Sequence, residues 1–144
     1  MILGKFLPPH RGHQYLVDFA RRYADRVTVH VCSIGSEPIP GALRFAWMRE
    51  HWAGCPDVTV VHCDDLNPQT PEECPDRFWE IWRESLLRRM DTPPDLVFAS
   101  EPYGFKLAET LGATYVPVDH ARDRIPISGT RLRADPLRHW EHLL

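Results

Sequence analysis

Two histidines three residues apart, His10 and His13, stand beside Gly12 in the segment GKFLPPHRGH near the start of the chain. In a first helical turn that spacing turns both side chains toward one spot. A helix N-terminus adds unpaired N–H groups and a partial positive charge, which favour an anion. Gly12 lets backbone approach a ligand closely, and Lys5 and Arg11 add positive charge. Together these residues describe a phosphate cradle. The same string also reads as a proline-rich turn with two incidental surface histidines. A second group lies near the other end, in ISGTRLR. Ser128 has the chemistry of an N-cap, Gly129 would open the helix, and Arg133 would reach back with a fork of donors suited to phosphate oxygens. Plain helix capping by Ser128 and Thr130 is the alternative.

The elements that must position these residues follow from hydropathy. Apolar strand-like runs at Ile2 to Leu7, Val27 to Ser33, Val58 to Cys63, Asp95 to Ser100 and Thr114 to Val118 alternate with helical patterns. Helices are predicted at Gly12 to Asp25, at Ala42 to Trp52, and at Asp76 to Arg89 with a cap near Asp76. A further helix, Tyr103 to Leu111, is stopped by Gly112. Short helices are predicted from about Gly129 and near Leu137 to His142. The stretch from Asp64 to Pro75 reads as a long polar loop. Such alternation predicts an α/β fold of about five parallel strands with helices on both faces. Ligands in such folds bind beyond the carboxyl ends of the strands, where both groups of residues would lie.

The remaining properties mainly exclude. The chain has 144 residues, 43% hydrophobic and 26% charged, the profile of one globular domain. A formal charge of −3 speaks against a general nucleic-acid binder. No signal-like start and no run of about 20 apolar residues is present, so the expected address is the cytosol, with no membrane partner. Neither G-x-G-x-x-G nor a P-loop occurs. Cys32, Cys55, Cys63 and Cys74 match no zinc or redox spacing, and Cys32 and Cys63 read as core thiols. No protein metal site is expected.

The residues Gly4, Phe6, Pro8, His10, Gly12 and His13 complete the G-x-F-x-P-x-H-x-G-H signature of the HxGH nucleotidyltransferase superfamily, which the chain therefore resembles. Ser128, Thr130 and Arg133 match its second motif, I-S-S-T-x-x-R, while Gly129 replaces the second serine and removes any hydroxyl contact from that position. Between the motifs, PIPGALRFAWMRE, PDRFWEIWRE, VFASEPYG and VDHARDRIPISGTRLR resemble the NadR-type nicotinamide-nucleotide adenylyltransferases. The resemblance implies a Rossmann-like nucleotidyltransferase fold and a single adenylyltransferase domain over 1–144, with no kinase domain in this chain. It implies ATP contacts from Gly4, Phe6, His10, Gly12, His13, Arg44, Ser128, Thr130 and Arg133, with Lys5, His10, His13 and Arg133 serving catalysis. For Arg44 a solvated helix charge is the plainer alternative.

The resemblance places a tryptophan against the nicotinamide ring. Trp79 is the better match, since Phe78, Trp82 and Leu86 form an ordinary core stripe; Trp82 is its neighbour in the acceptor set. Ser100 and Glu101 follow the fourth strand, where ribose hydroxyls could be held, or Ser100 could cap a helix. Arg122 joins the acceptor set, or with Asp119 and Arg124 simply orders its loop. The implied reaction is ATP plus nicotinamide mononucleotide to NAD and pyrophosphate, with Mg²⁺ carried on the ATP phosphates. Another phosphate acceptor, such as FMN or phosphopantetheine, and a non-catalytic module binding NAD or ATP remain as alternatives, and a homo-oligomer is left open.

Overall fold

The first strand, β1 (Ile2–Gly4), is short because the chain turns immediately afterwards: Phe6 takes φ 49° and Pro8 and Pro9 follow. Residues 1–144 are all described by the structure, a computed structural model. The helix α1 (Arg11–Arg21) presents Leu16, Val17 and Ala20 to the core. It ends four residues earlier than its pattern predicts, because the amides of Tyr23 and Ala24 bond back to the Ala20 carbonyl in a turn that leads into β2 (Val27–Cys32). The helix α2 (Gly41–His51), the strand β3 (Val58–Cys63) and the helix α3 (Phe78–Leu87) follow. Then come β4 (Leu96–Ala99), α4 (Tyr103–Leu111), β5 (Thr114–Pro117) and α5 (Gly129–Ala134).

The helix α3 starts at Phe78, not Asp76, and Asp76 does not cap it. Its preceding turn is closed by the Phe78 amide on the Cys74 carbonyl, and its cap residue is Arg77. Gly112 stops α4 as expected, with φ 71°, a left-handed conformation that costs glycine nothing. The polar loop after β3 holds an unpredicted 3₁₀ turn at Pro71–Glu73, where the Glu73 carboxylate accepts the amides of Gln69 and Thr70. The last predicted helix shrinks to a 3₁₀ turn at Trp140–His142, after which Leu143 bridges back to His10.

All five strands are parallel, in the order β3-β2-β1-β4-β5. Side-chain alternation sends Ile2, Val29, Val31 and Phe98 to one face, under α1 and α2. Met1, Cys32, Cys63 and Val97 face the other way, under α3 and α4. The fold is thus a Rossmann-like α/β sandwich. The chain leaves β1 in one direction and β4 in the other, so a crevice opens at the carboxyl ends of these two central strands. No helix is long and apolar enough to cross a membrane.

Candidate active site

A cavity of about 620 Å³ occupies that crevice. One of its walls is the turn from β1 into α1. His10 is the N-cap of α1, with extended backbone at φ −152°, and its ring Nδ1 accepts the Gly12 amide at 3.1 Å. His13 reaches back in turn, its Nδ1 accepting the His10 amide at 3.2 Å. The pair forms a capping box in which two imidazoles replace the usual hydroxyl and carboxylate. The rings stack with centroids 3.6 Å apart, and Phe6 packs its ring 4.7 Å from that of His13.

This geometry sets the tautomer. A nitrogen that accepts an amide carries no proton, so each neutral ring holds its proton on Nε2. Burial, then the positive charge of Arg122, then His142, push the His10 pKa down to about 4. Burial, His10 and Arg122 hold His13 well below the ordinary histidine range. The site therefore presents two neutral Nε2–H donors to the cavity. Gly12 serves this cap: a Cβ there would lie 2.9 Å from His10 Cε1, so the close approach it allows is that of the histidine ring.

The two sequence motifs, 126 residues apart, meet at one carbonyl. Arg133 Nη1 donates to Leu7 O at 2.5 Å, and its Nη2 lies 3.4 Å from Thr130 Oγ1. Gly129 packs against the same group, since a Cβ there would fall 2.6 Å from Leu7 O. A side chain at this position would therefore require Leu7 to shift. Ser128 caps α5 by accepting the Arg131 amide at 3.3 Å, and its hydroxyl proton stays free. Ser128, Gly129, Thr130 and Arg133 all line the cavity, as do Gly4, Lys5, Phe6, His10, Gly12 and His13.

Arg44 does not. It is fully buried and not part of the cavity lining, so it is not the solvated helix charge of the alternative reading, and no surface of it faces the place where ATP is expected. Its guanidinium donates to the carbonyls of Ile39 at 3.0 Å, Cys32 at 3.1 Å, and Lys5, and it is ion-paired with Glu37. Glu37 also accepts the Ile34 amide at 3.1 Å and pairs with Lys5 at 2.9 Å. Burial opposes its charge, yet Lys5, the Ile34 amide and Arg44 hold the Glu37 carboxyl below its ordinary range. Arg44 is thus a strut that locks the turn after β1 to the loop after β2. Lys5 is half-exposed at the cavity, and its ammonium keeps N–H donors beyond the one that faces Glu37.

Part of the cavity lining is aromatic. Trp79 and Trp82 both belong to it, and both are half-buried. The fully buried residues of α3 are Phe78, Ser85 and Leu86; Trp82 packs against that core, as its spacing predicts, but so does Trp79, and both also face the cavity. The Trp82 indole N–H donates to Pro68 O at 2.9 Å, which pins the loop after β3. That loop adds Asp65, Asn67 and Gln69 to the cavity, none of which was among the expected site residues. Their position directly after a strand was the available signal. Asn67 Nδ2 donates to the buried Ser85 Oγ at 2.9 Å. Arg89, Ser85 and Arg88 hold the Asp65 carboxyl well below the usual carboxylate range.

Ser100 and Glu101 line the wall after β4. Ser100 caps nothing, since α4 begins after Pro102 with no side-chain cap. Glu101 is ion-paired with Arg122, whose Nη1 also donates to Ile127 O at 2.8 Å. Arg122 therefore does order its loop while lining the cavity, and Asp119 assists by accepting the amides of Arg124 and Ile125 at 3.0 and 3.1 Å. No cluster of three His, Cys, Asp or Glu side chains is arranged to hold a metal ion.

The strand order and the crevice define a Rossmann-like α/β fold in which the two motifs converge on one cavity. The chain is similar in sequence to NadR proteins. It is 27% identical over 161 aligned positions to the trifunctional NAD biosynthesis/regulator protein NadR of Escherichia coli, covering 99% of this chain. It is 24% identical over 160 positions to the protein of the same name in Salmonella typhimurium, again over 99% of this chain. It spans 38% of the length of either relative. No protein-family model matches the chain.

Solved structures share the fold across 99% of the chain. NadR in complex with NR superposes with a TM-score of 0.73 at 21% identity, over 42% of that protein. NadR in complex with NAD and AMP-PNP gives 0.72 at 22% identity, over 43%. A bifunctional NMN adenylyltransferase/ADP ribose pyrophosphatase from Francisella tularensis gives 0.73 at 14% identity, over 44%.

Proposed function

We propose that residues 1–144 act as one nucleotidyltransferase domain that transfers AMP from ATP to nicotinamide mononucleotide, giving NAD and pyrophosphate. The observation that carries this reading is the junction at Leu7. It sets two imidazole donors and a guanidinium on a cavity that Trp79 and Trp82 also line. The donors suit a triphosphate. The indoles suit a cationic nicotinamide ring, which an aromatic face attracts by roughly 0.5–2 kcal/mol.

The acceptor's phosphate, already mostly dianionic at pH 7 with a second pKa of about 6, attacks the α-phosphorus in line. The new O–P bond forms as the bond to the bridging oxygen of pyrophosphate breaks, so no general base is required. Catalysis is positioning plus stabilisation of spreading charge. His10 and His13 donate from Nε2, and Arg133 and Ser128 add donors along the triphosphate. Mg²⁺ would enter on the phosphates and neutralise their charge. The nearby carboxylates suit a water-liganded ion more than a protein cage, because Glu37, Glu101 and Asp65 are each paired with Lys or Arg.

The test is pyrophosphate release from Mg-ATP with nicotinamide mononucleotide, FMN and phosphopantetheine as separate acceptors. Nicotinamide mononucleotide should be used best. His13→Ala should lower kcat by about 10²–10³, the usual effect of removing one transition-state donor, while calorimetric ATP affinity changes much less. Turnover with another acceptor would reassign the substrate, and binding of ATP without turnover of any would make this a non-catalytic module.

A further inference from the structure

The floor of the cavity carries two thiols that nucleotidyl transfer does not use. Cys32 and Cys63 are the last residues of β2 and β3 and are direct partners in the parallel register. Alternation turns both toward the α3 and α4 face. Both are buried from bulk solvent, at 7% and 2% exposure, yet both line the cavity. Neighbouring strands run about 4.8 Å apart, and disulfide-bonded residues have Cα atoms roughly 4.4–6.8 Å apart.

The surroundings make the two thiols unequal. Cys63 Sγ lies 4.0 Å from Nδ1 of His30 and 3.9 Å from Ser85 Oγ. His30 is fully buried and its Nε2 has no partner, so the Cys63 thiol is its one polar side-chain neighbour. Arg89 is anchored next door, its Nε donating to His62 O at 3.0 Å. The Cys32 thiol first, then His30 and Arg89, lower the Cys63 thiol against the effect of burial, while Cys32 is pushed up. The two thiols are thus inequivalent, with Cys63 the more acidic and Cys32 the less.

We propose that Cys32 and Cys63 form an oxidative modification site for hydroperoxides that enter the nucleotide cavity. The Cys63 thiolate attacks one peroxide oxygen, the O–O bond breaks, and sulfenic acid forms as the alkoxide or hydroxide leaves and takes a proton. The sulfur loses two electrons and the peroxide gains them. The Cys32 sulfur then attacks the sulfenic sulfur and a disulfide forms with release of water. The bridge ties together the ends of β2 and β3, from which the Glu37 loop and the Asp65–Gln69 loop depart, and so distorts the cavity. A thiol reductant reverses it.

The test treats the folded wild-type protein with a small molar excess of hydrogen peroxide, alkylates the remaining thiols and maps cysteines by mass spectrometry. A peptide joining Cys32 to Cys63 should appear several-fold faster than oxidation of the half-buried Cys55 and Cys74, and dithiothreitol should remove it. With Cys32→Ser, dimedone should trap a sulfenic acid at Cys63. With Cys63→Ser, Cys32 should stay reduced. Oxidation of Cys55 or Cys74 with Cys32 and Cys63 still alkylatable would overturn the proposal, as would oxidation of Cys32 at the wild-type rate in Cys63→Ser. A further arm, reversible loss of pyrophosphate release on oxidation, rests on the proposed function; the mapping does not, so the two readings fail separately.

Discussion

At the residue scale, the site depends on short distances that one methyl group would spoil. Gly129 packs against the Leu7 carbonyl so closely that a Cβ would sit 2.6 Å away. Gly129→Ser, which would restore the second serine of the motif, should therefore destabilise the protein by about 1–3 kcal/mol, as overpacking does. It should also lower activity by displacing Leu7 from Arg133. An unchanged melting temperature with unchanged turnover would show that the turn yields freely. Arg44 makes the opposite kind of prediction. Removing a partner from a buried ion pair costs about 3–5 kcal/mol, so Arg44→Ala should melt far earlier. Arg44→Lys should rescue little, because one ammonium cannot span three carbonyls and a carboxylate. A stable Arg44→Ala protein with only a raised KM for ATP would mean that the arginine serves the nucleotide after all.

At the element scale, α3 and the loop after β3 act as one unit. Trp82 joins them through its bond to Pro68 O, and Ser85 joins them again through Asn67. Trp82→Phe keeps an aromatic wall but loses the N–H, which should cost about 1 kcal/mol of stability and raise the acceptor KM several-fold by loosening the loop. Trp79→Ala should weaken the acceptor by about three- to thirtyfold, the loss of one cation–π contact at ~1.4 kcal/mol per decade, with ATP affinity nearly constant. Paired titrations and melting curves separate the two. If Trp82→Phe melts earlier but binds acceptor normally, the loop is not part of the acceptor site.

For the whole molecule, the capping histidines couple stability to pH. His10 falls to about 4 from 6.5 in the fold, and His13 falls well below 6.5 too. Between those values the unfolded chain binds protons that the folded chain refuses, so the histidines' contribution to stability is full above pH 6.5 and drops as pH falls toward 4. The His10 share is on the order of 3 kcal/mol. The depressed carboxylates Glu37, Asp57 and Asp65 also lose their contribution in acid, but mainly below pH 4.5, their ordinary ionisation range. Urea unfolding at pH 7.5, 6 and 5 should show a steady decline. A flat profile over that span would mean that the two rings titrate in the folded protein as they do in the unfolded chain.

Much of this architecture is written locally. The Val-rich runs at Val27 and Val58 specify strands, Gly112 specifies where α4 stops, and the His10 and His13 spacing specifies a helix start with two rings on one side. Each of these depends on neighbours within a few residues, so periodicity and residue type suffice. Other features depend on partners far along the chain. The pairing of Arg133 with Leu7, the packing of Gly129 against the same carbonyl, the burial of Arg44 against Lys5 and Cys32, and the turn of Trp82 toward the cavity all arise where separate elements pack. An i, i+4 stripe says that a face is covered, and it is silent on whether the cover is a sheet or the wall of a pocket. Only the tertiary structure decides that, because burial and hydrogen-bond partners are properties of what the rest of the chain brings into contact.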